Sequence, residues 1–194
     1  MKTKNLYIVF VALFFFILSC SDRYITGNNN EEIGINGDFE EIKNGFPVNW
    51  NIHSAPITKG HAKVILDTVD VKSGTYALKI EANKVSRSKK FWNKPGVNKE
   101  IRIDPRKKYK LSVWIKNADS EFCIKWITTN EANKNQIRSK NFIETDITFT
   151  TWYYFREIIN TNENEDLLKL EIVIKEPGTI WIDKFVIEEI IDAD

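Results

Sequence analysis

The chain has 194 residues, with 28 Lys and Arg against 27 Asp and Glu, a formal net charge of +1. So even a balance supplies no bulk field for nucleic acid or acidic polymers; a segregated basic face would be needed, and the densest basic cluster, Arg87-Ser88-Lys89-Lys90, reads as a solvated loop. Two cysteines and two histidines, His53 and His61, give no disulfide framework and little basis for a catalytic zinc.

Met1-Lys2-Thr3-Lys4 is a short basic start, followed by an almost unbroken apolar run from Leu6 to Leu18. About a dozen apolar residues are too few to span a bilayer, which needs about 20, but they suit the apolar region of a secretory signal. The run stops at Ser19-Cys20, which resembles a bacterial lipobox. That resemblance implies cleavage before Cys20, lipidation of its thiol, and stable anchoring through several acyl chains. Residues 1–19 are thus expected to be a lipoprotein signal peptide. Removing nineteen residues from 194 leaves 175, enough for one domain with a substantial core. Residues 20–32 are polar and without apolar period, and read as the lipidated N-terminus and a flexible linker. The expected product is an exported, monomeric lipoprotein of the outer membrane or cell surface, with one domain over residues 33–194.

From there the chain reads as strands. Ala77–Glu81 and Lys99–Ile103 alternate apolar with polar, and Lys108–Lys116 does so most cleanly. In that last run Tyr109, Leu111, Val113 and Ile115 share one face, and Lys110, Ser112, Trp114 and Lys116 the other. Cys123, between Phe122 and Ile124, reads as a buried thiol. Thr148–Ile159, Lys169–Lys175 and Gly178–Ile190 complete the strand signals. Asn44-Gly45, Ser73-Gly74, Pro95-Gly96, Asp104-Pro105 and Pro177-Gly178 mark turns. Glu163–Leu168 is the best helical segment and is too short to matter. About eight to ten short strands with this punctuation predict an all-β, antiparallel β-sandwich.

Six landmarks in order are more specific: Asn36-Gly37-Asp38-Phe39-Glu40, Gly45-Phe46-Pro47-Val48-Asn49-Trp50, Ser73–Ile80, Tyr109–Lys116, Thr151–Phe155 and Gly178–Ile187. Together they resemble the carbohydrate-binding modules of families four, nine, sixteen and twenty-two, which are galactose-binding-domain-like jelly rolls. The resemblance implies a glycan or polysaccharide as partner. It also implies one structural calcium, with Glu40, the carbonyls of Lys72 and Gly74, and Asp183 as ligands, and Asp38 and the Asn36 carbonyl as contributors. Six to eight oxygens of this kind suit calcium.

A sugar site offers aromatic faces beside polar groups. Trp50 and Trp152 fall where such modules pack their core. Trp114, on the polar face of its strand, is the first choice as stacking ring, and Trp92, in a basic loop, the second. Tyr154 and Arg156 alternate on one strand face and can supply a ring and a donor. Trp126, the last of the candidate binding residues, is expected to be partly buried, and the facing of Trp181 is open. Glycoside hydrolysis needs two carboxylates across a cleft, and neither Glu163-Asn164-Glu165-Asp166 nor Glu188-Glu189 offers them within a strand. A non-catalytic, glycan-binding lipoprotein is therefore expected. The alternative is a structural or protein-interaction lipoprotein of the cell envelope, and after it an unrecognised hydrolase or lyase.

Overall fold

The computed structural model describes residues 31–132 and 135–191. The expected signal peptide, Cys20 and the linker as far as residue 30 lie outside the described residues. In chain order the strands are β1 (Glu31–Glu32), β2 (Ile42–Lys43), β3 (Phe46–Pro47), β4 (Asn51–Ile52), β5 (Ala62–Asp67), β6 (Ala77–Ala82), β7 (Gly96–Arg102), β8 (Lys108–Ala118), β9 (Phe122–Thr129), β10 (Gln136–Thr145), β11 (Phe149–Asn160), β12 (Leu167–Ile174) and β13 (Gly178–Ile190). A five-residue helix, Ser54–Thr58, and a 3₁₀ turn, Phe91–Asn93, interrupt them.

The long strands form two sheets. One runs β11-β8-β13-β6-β5, with β1 also on β13; the other runs β10-β9-β12-β7-β4. Every pairing is antiparallel, so the domain is an all-β sandwich of the jelly-roll kind. Period-two alternation puts Leu111, Val113, Ile115, Ile180 and Ile182 of one sheet against Ile124, Trp126, Leu168, Leu170 and Ile172 of the other. These side chains are almost wholly withdrawn from water, and their burial drives the closure of the two sheets. Cys123 is buried as expected, and burial pushes its thiol up to about 12.

The sheet begins inside the expected linker, because Glu31 and Glu32 pair with Glu189 and Glu188 of β13. Backbone pairing needs no apolar side chain, so the two acids carried no sign of it. Between β1 and β2, Phe39 is fully buried and packs on Trp50, whose indole N–H donates to the Asn36 carbonyl at 3.0 Å. Gly37 passes so close to β13 that a Cβ would lie 1.8 Å from the Phe185 carbonyl oxygen. Trp152 does not join the core as expected. It is half-buried and lies where the pairing of β11 with β8 breaks register, between Phe149 and Tyr153.

Candidate functional site

The outer face of the five-stranded sheet carries a groove of about 510 Å³. Register builds its floor in rows across the strands. Asn141, Lys125, Glu171 and Asn98 align from β10 to β7, and beside them run Ser139, Ile127, Lys169 and Glu100; of these, Lys125, Glu171, Ile127, Lys169 and Glu100 line the groove. Lys169 binds Glu171 at 2.9 Å, so the floor sets amines beside carboxylates above a buried apolar layer, with the Gln136 amide among the lining groups. Polar residues sit here because each is one position away from a core residue such as Trp126 or Leu170.

One wall is the loop from Asn83 to Pro95, which crosses from one sheet to the other. Its shape is set internally. Ser88 Oγ accepts from the Lys90 amide at 3.2 Å and from Asn93 Nδ2 at 3.1 Å, and the Lys94 amide closes the 3₁₀ turn onto Phe91 at 2.8 Å. His53 fastens the loop from below, with Nδ1 donating to the Lys94 carbonyl at 3.1 Å. Burial lowers the His53 pKa despite that bond and nearby Glu171, which favours the neutral ring. On this support Phe91 and Trp92 reach the groove, and Trp92 is 59% exposed.

Of the other expected binding residues, Trp114, Tyr154 and Arg156 share the outer face of the six-stranded sheet. The Trp114 and Tyr154 rings meet at 5.1 Å between centroids, tilted by 43°, and Arg156 is in register with Ser112. The Lys72 ammonium lies 3.8 Å from the Trp114 ring centre and covers that ring. Neither Trp114 nor Tyr154 lines the groove. Trp126 is a correction: it faces the interior, is only 5% exposed, and donates its indole N–H to Glu157 at 3.4 Å. Its inward neighbours Ile124 and Thr128 lie on the same side of β9, which leaves Lys125 and Ile127 for the groove. Trp181 faces outward from its sheet and donates to Asp67 at 2.7 Å.

The expected calcium ligands divide. Asp183 is fully buried; its Oδ2 accepts from the Lys72 and Ser73 amides at 2.8 and 2.9 Å, and Oδ1 from the Lys184 amide at 2.6 Å. Burial raises the Asp183 carboxyl above its ordinary value, and the three amides offset this only in part. Glu40 Oε1 accepts from the Thr75 and Tyr76 amides at 2.7 and 3.0 Å. Both acids therefore hold one loop, at whose middle Gly74 (φ +68) leaves room for Glu40: a Cβ would meet its Oε1 at 2.3 Å. Asp38 stands apart, exposed, with Oδ1 turned to the Glu40 amide. No cluster of three or more acidic, histidine or cysteine side chains gathers among the described residues. A calcium ion here would rest on two carboxylates and loop carbonyls, a hard-oxygen set of the right chemistry.

No protein-family model and no curated protein matches the sequence. The fold does have solved counterparts. The C-terminal family 22 carbohydrate-binding module of a Clostridium thermocellum xylanase superposes with a TM-score of 0.54 at 16% identity, over 84% of this chain and 99% of that one. A family 4 carbohydrate-binding module gives 0.54 at 16% identity, over 79% and 97%. The enzymatically active domain of a tailspike protein from bacteriophage CBA120 gives 0.57 at 14% identity over 79% of this chain, which spans 22% of that one. A two-module Clostridium thermocellum xylanase fragment, of which this chain covers 26%, gives 0.56 at 14% identity. The chain thus has the jelly-roll fold of carbohydrate-binding modules.

Proposed function

We propose that this chain binds a glycan non-catalytically, in the groove over the five-stranded sheet. One observation carries the reading: exposed Trp92 and neighbouring Phe91 rim a groove whose floor sets lysines beside carboxylates, with the Gln136 amide among its lining. Sugar rings stack on the first kind of group and present hydroxyls to the second. The structural counterparts named as carbohydrate-binding modules support it. A non-catalytic role is supported by the placing of the groove acids. Glu171 is bound to the Lys169 ammonium, and Glu100 lies on the neighbouring strand in register with that same lysine. We further assign Cys20 as a lipid anchor and a calcium ion to Glu40 and Asp183, where it would join the first loop to the last strand.

The test is a polysaccharide and glycan array probed with the full chain in detergent. Binding that is lost in Trp92→Ala supports the groove; absence of any glycan binding refutes it. A second reading, protein contact, is favoured by an apolar hollow of about 430 Å³ between the edge strands β10 and β11, lined by Phe142, Ile147, Phe149, Tyr153 and Phe155. For the anchor, Cys20→Ala should abolish metabolic palmitate labelling, and undiminished labelling would refute it.

A further inference from the structure

Between Glu81 and Glu100 the chain carries Lys84, Arg87, Lys89, Lys90, Lys94 and Lys99 and no acid. In a protein of net charge +1, the fold turns this stretch into the wall of the groove. The wall has two sides. Lys89, Lys90, Phe91 and Trp92 face the groove, where four lysines, the other two being Lys125 and Lys169, stand against Glu100 and Glu171. Behind the wall lies a second hollow of about 520 Å³, lined by Lys59, His61, Lys84 and Arg87 and by no acid.

Apart from Lys169, which binds Glu171, ion pairing separates these cations from many others in the molecule. Lys79, Arg102, Arg106, Lys107, Lys110, Lys116, Arg138, Lys140 and Lys175 each meet a carboxylate. Among the described residues, Lys59, Lys84, Arg87, Lys89, Lys90 and Lys125 form no such pair. Two of them accompany the aromatic rings one to one. The Lys90 ammonium is 5.3 Å from the centre of the Trp92 ring, and the Lys125 ammonium is 5.3 Å from that of Phe91. An aromatic ring with an unpaired ammonium 5.3 Å from its centre offers a sugar ring a stacking face and its acidic substituent a cation.

Resting on the glycan reading of this groove, we infer that its ligand is an anionic polysaccharide, with carboxylate or sulfate groups on the sugar rings. The rings stack on Trp92 and Phe91, and their acidic groups meet Lys90, Lys125 and Lys89. Lys59, Lys84 and Arg87 extend the positive field behind the wall and steer the chain toward it.

The test measures binding of the full chain in detergent to polygalacturonate, to its fully methyl-esterified form, to a sulfated galactan and to oligothymidylate. Polygalacturonate or the sulfated galactan should bind at least about tenfold tighter than the neutral ester at low salt. The preference should collapse at about 1 M salt, where charges are screened beyond about 3 Å. Which acidic chain binds tighter identifies the acidic group. Lys89→Gln with Lys90→Gln should lose about tenfold on the acidic chain and markedly less on the ester, so that the preference for acid shrinks, Lys89→Arg with Lys90→Arg should retain the preference, and Trp92→Ala should weaken both ligands. Equal, salt-insensitive binding of ester and acid would overturn the anionic assignment while leaving glycan binding intact. Failure of every polysaccharide would overturn both. Oligothymidylate as the tightest ligand would make the wall a single-strand nucleic-acid surface and overturn the glycan assignment.

Discussion

Arg138 grips Glu165 with two parallel bonds, Nε to Oε1 and Nη2 to Oε2, each 2.5 Å long. Arg138 belongs to β10, the edge of one sheet, and its Nη2 also donates at 2.6 Å to the carbonyl of Asn160, the last residue of β11, an edge of the other. Glu165 is fully buried and accepts in addition from Thr128 and from the Asn162 amide. The pair thus latches the two sheets together at one margin.

Removing one partner of such a pair strands the other charge away from water, so Arg138→Ala should cost about 3 kcal/mol. Denaturant unfolding of the variant measures it, and a loss below about 0.5 kcal/mol would show that the latch is idle. The latch should also be acid-sensitive. Burial by itself would raise the Glu165 carboxyl, but Arg138, the Asn162 amide and Thr128 together hold it below the ordinary value of 4.5. A depressed carboxyl stabilises the fold above its unfolded value and loses that stabilisation as the pH falls through the folded one. Wild type should therefore lose melting temperature on acidification below 4.5, and Glu165→Gln should flatten the loss. Parallel acid profiles would contradict this.

The tryptophans should separate by mutation. Trp92→Ala should weaken glycan binding by tenfold or more, since a stacked aromatic anchor is worth on the order of 2 kcal/mol, and leave stability unchanged. Trp114→Ala should leave both nearly intact, its ring being capped by Lys72 and outside the groove. Trp126→Ala should cost about 3–5 kcal/mol of stability. Isothermal titration and thermal melts of all three decide the assignment; a binding defect confined to Trp114→Ala would move the site to the other sheet.

A calcium ion bound to the native state alone stabilises it by mass action. Chelator should lower the melting temperature of wild type, and added calcium should restore it. Asp183→Asn should erase that response while keeping an oxygen to accept the Lys72 and Ser73 amides. A melting curve indifferent to chelator would leave Glu40 and Asp183 as clamps for their loop.

Two glycines give a paired test of packing. Gly37→Ala places a methyl group 1.8 Å from the Phe185 carbonyl oxygen, whereas a Cβ at Gly34 meets nothing within 4 Å. The first should cost about 2 kcal/mol or more and the second less than about 0.5 kcal/mol. Similar costs would mean that the chain near Gly37 moves aside freely.

The sandwich was legible because β8 and β12 alternate so regularly, and Trp50 was placed correctly in the core. The site was only half legible. Trp92 stands out in sequence as an aromatic in a basic loop, but Lys125, Glu171 and Asn98 become neighbours only through strand register. Trp114 shows where alternation runs out: it identifies the polar face of a strand without saying which sheet that strand joins. Trp152 and Trp126 fail for a related reason, since an aromatic ring suits either side of an edge or amphipathic strand. Glu165 looked like a loop acid because its partner, Arg138, lies 27 residues away.

Strand β13, central between β8 and β6, is the last described strand to leave the ribosome. Until it arrives, β11-β8 and β6-β5 are two separate ribbons, and Gly37 and the Lys72–Ser73 amides lack their partners in Phe185 and Asp183. Folding of that sheet therefore waits for β13 and then closes contacts over more than a hundred residues, a slow kind of topology. A nascent chain held open in this way stays threadable until β13 has been made.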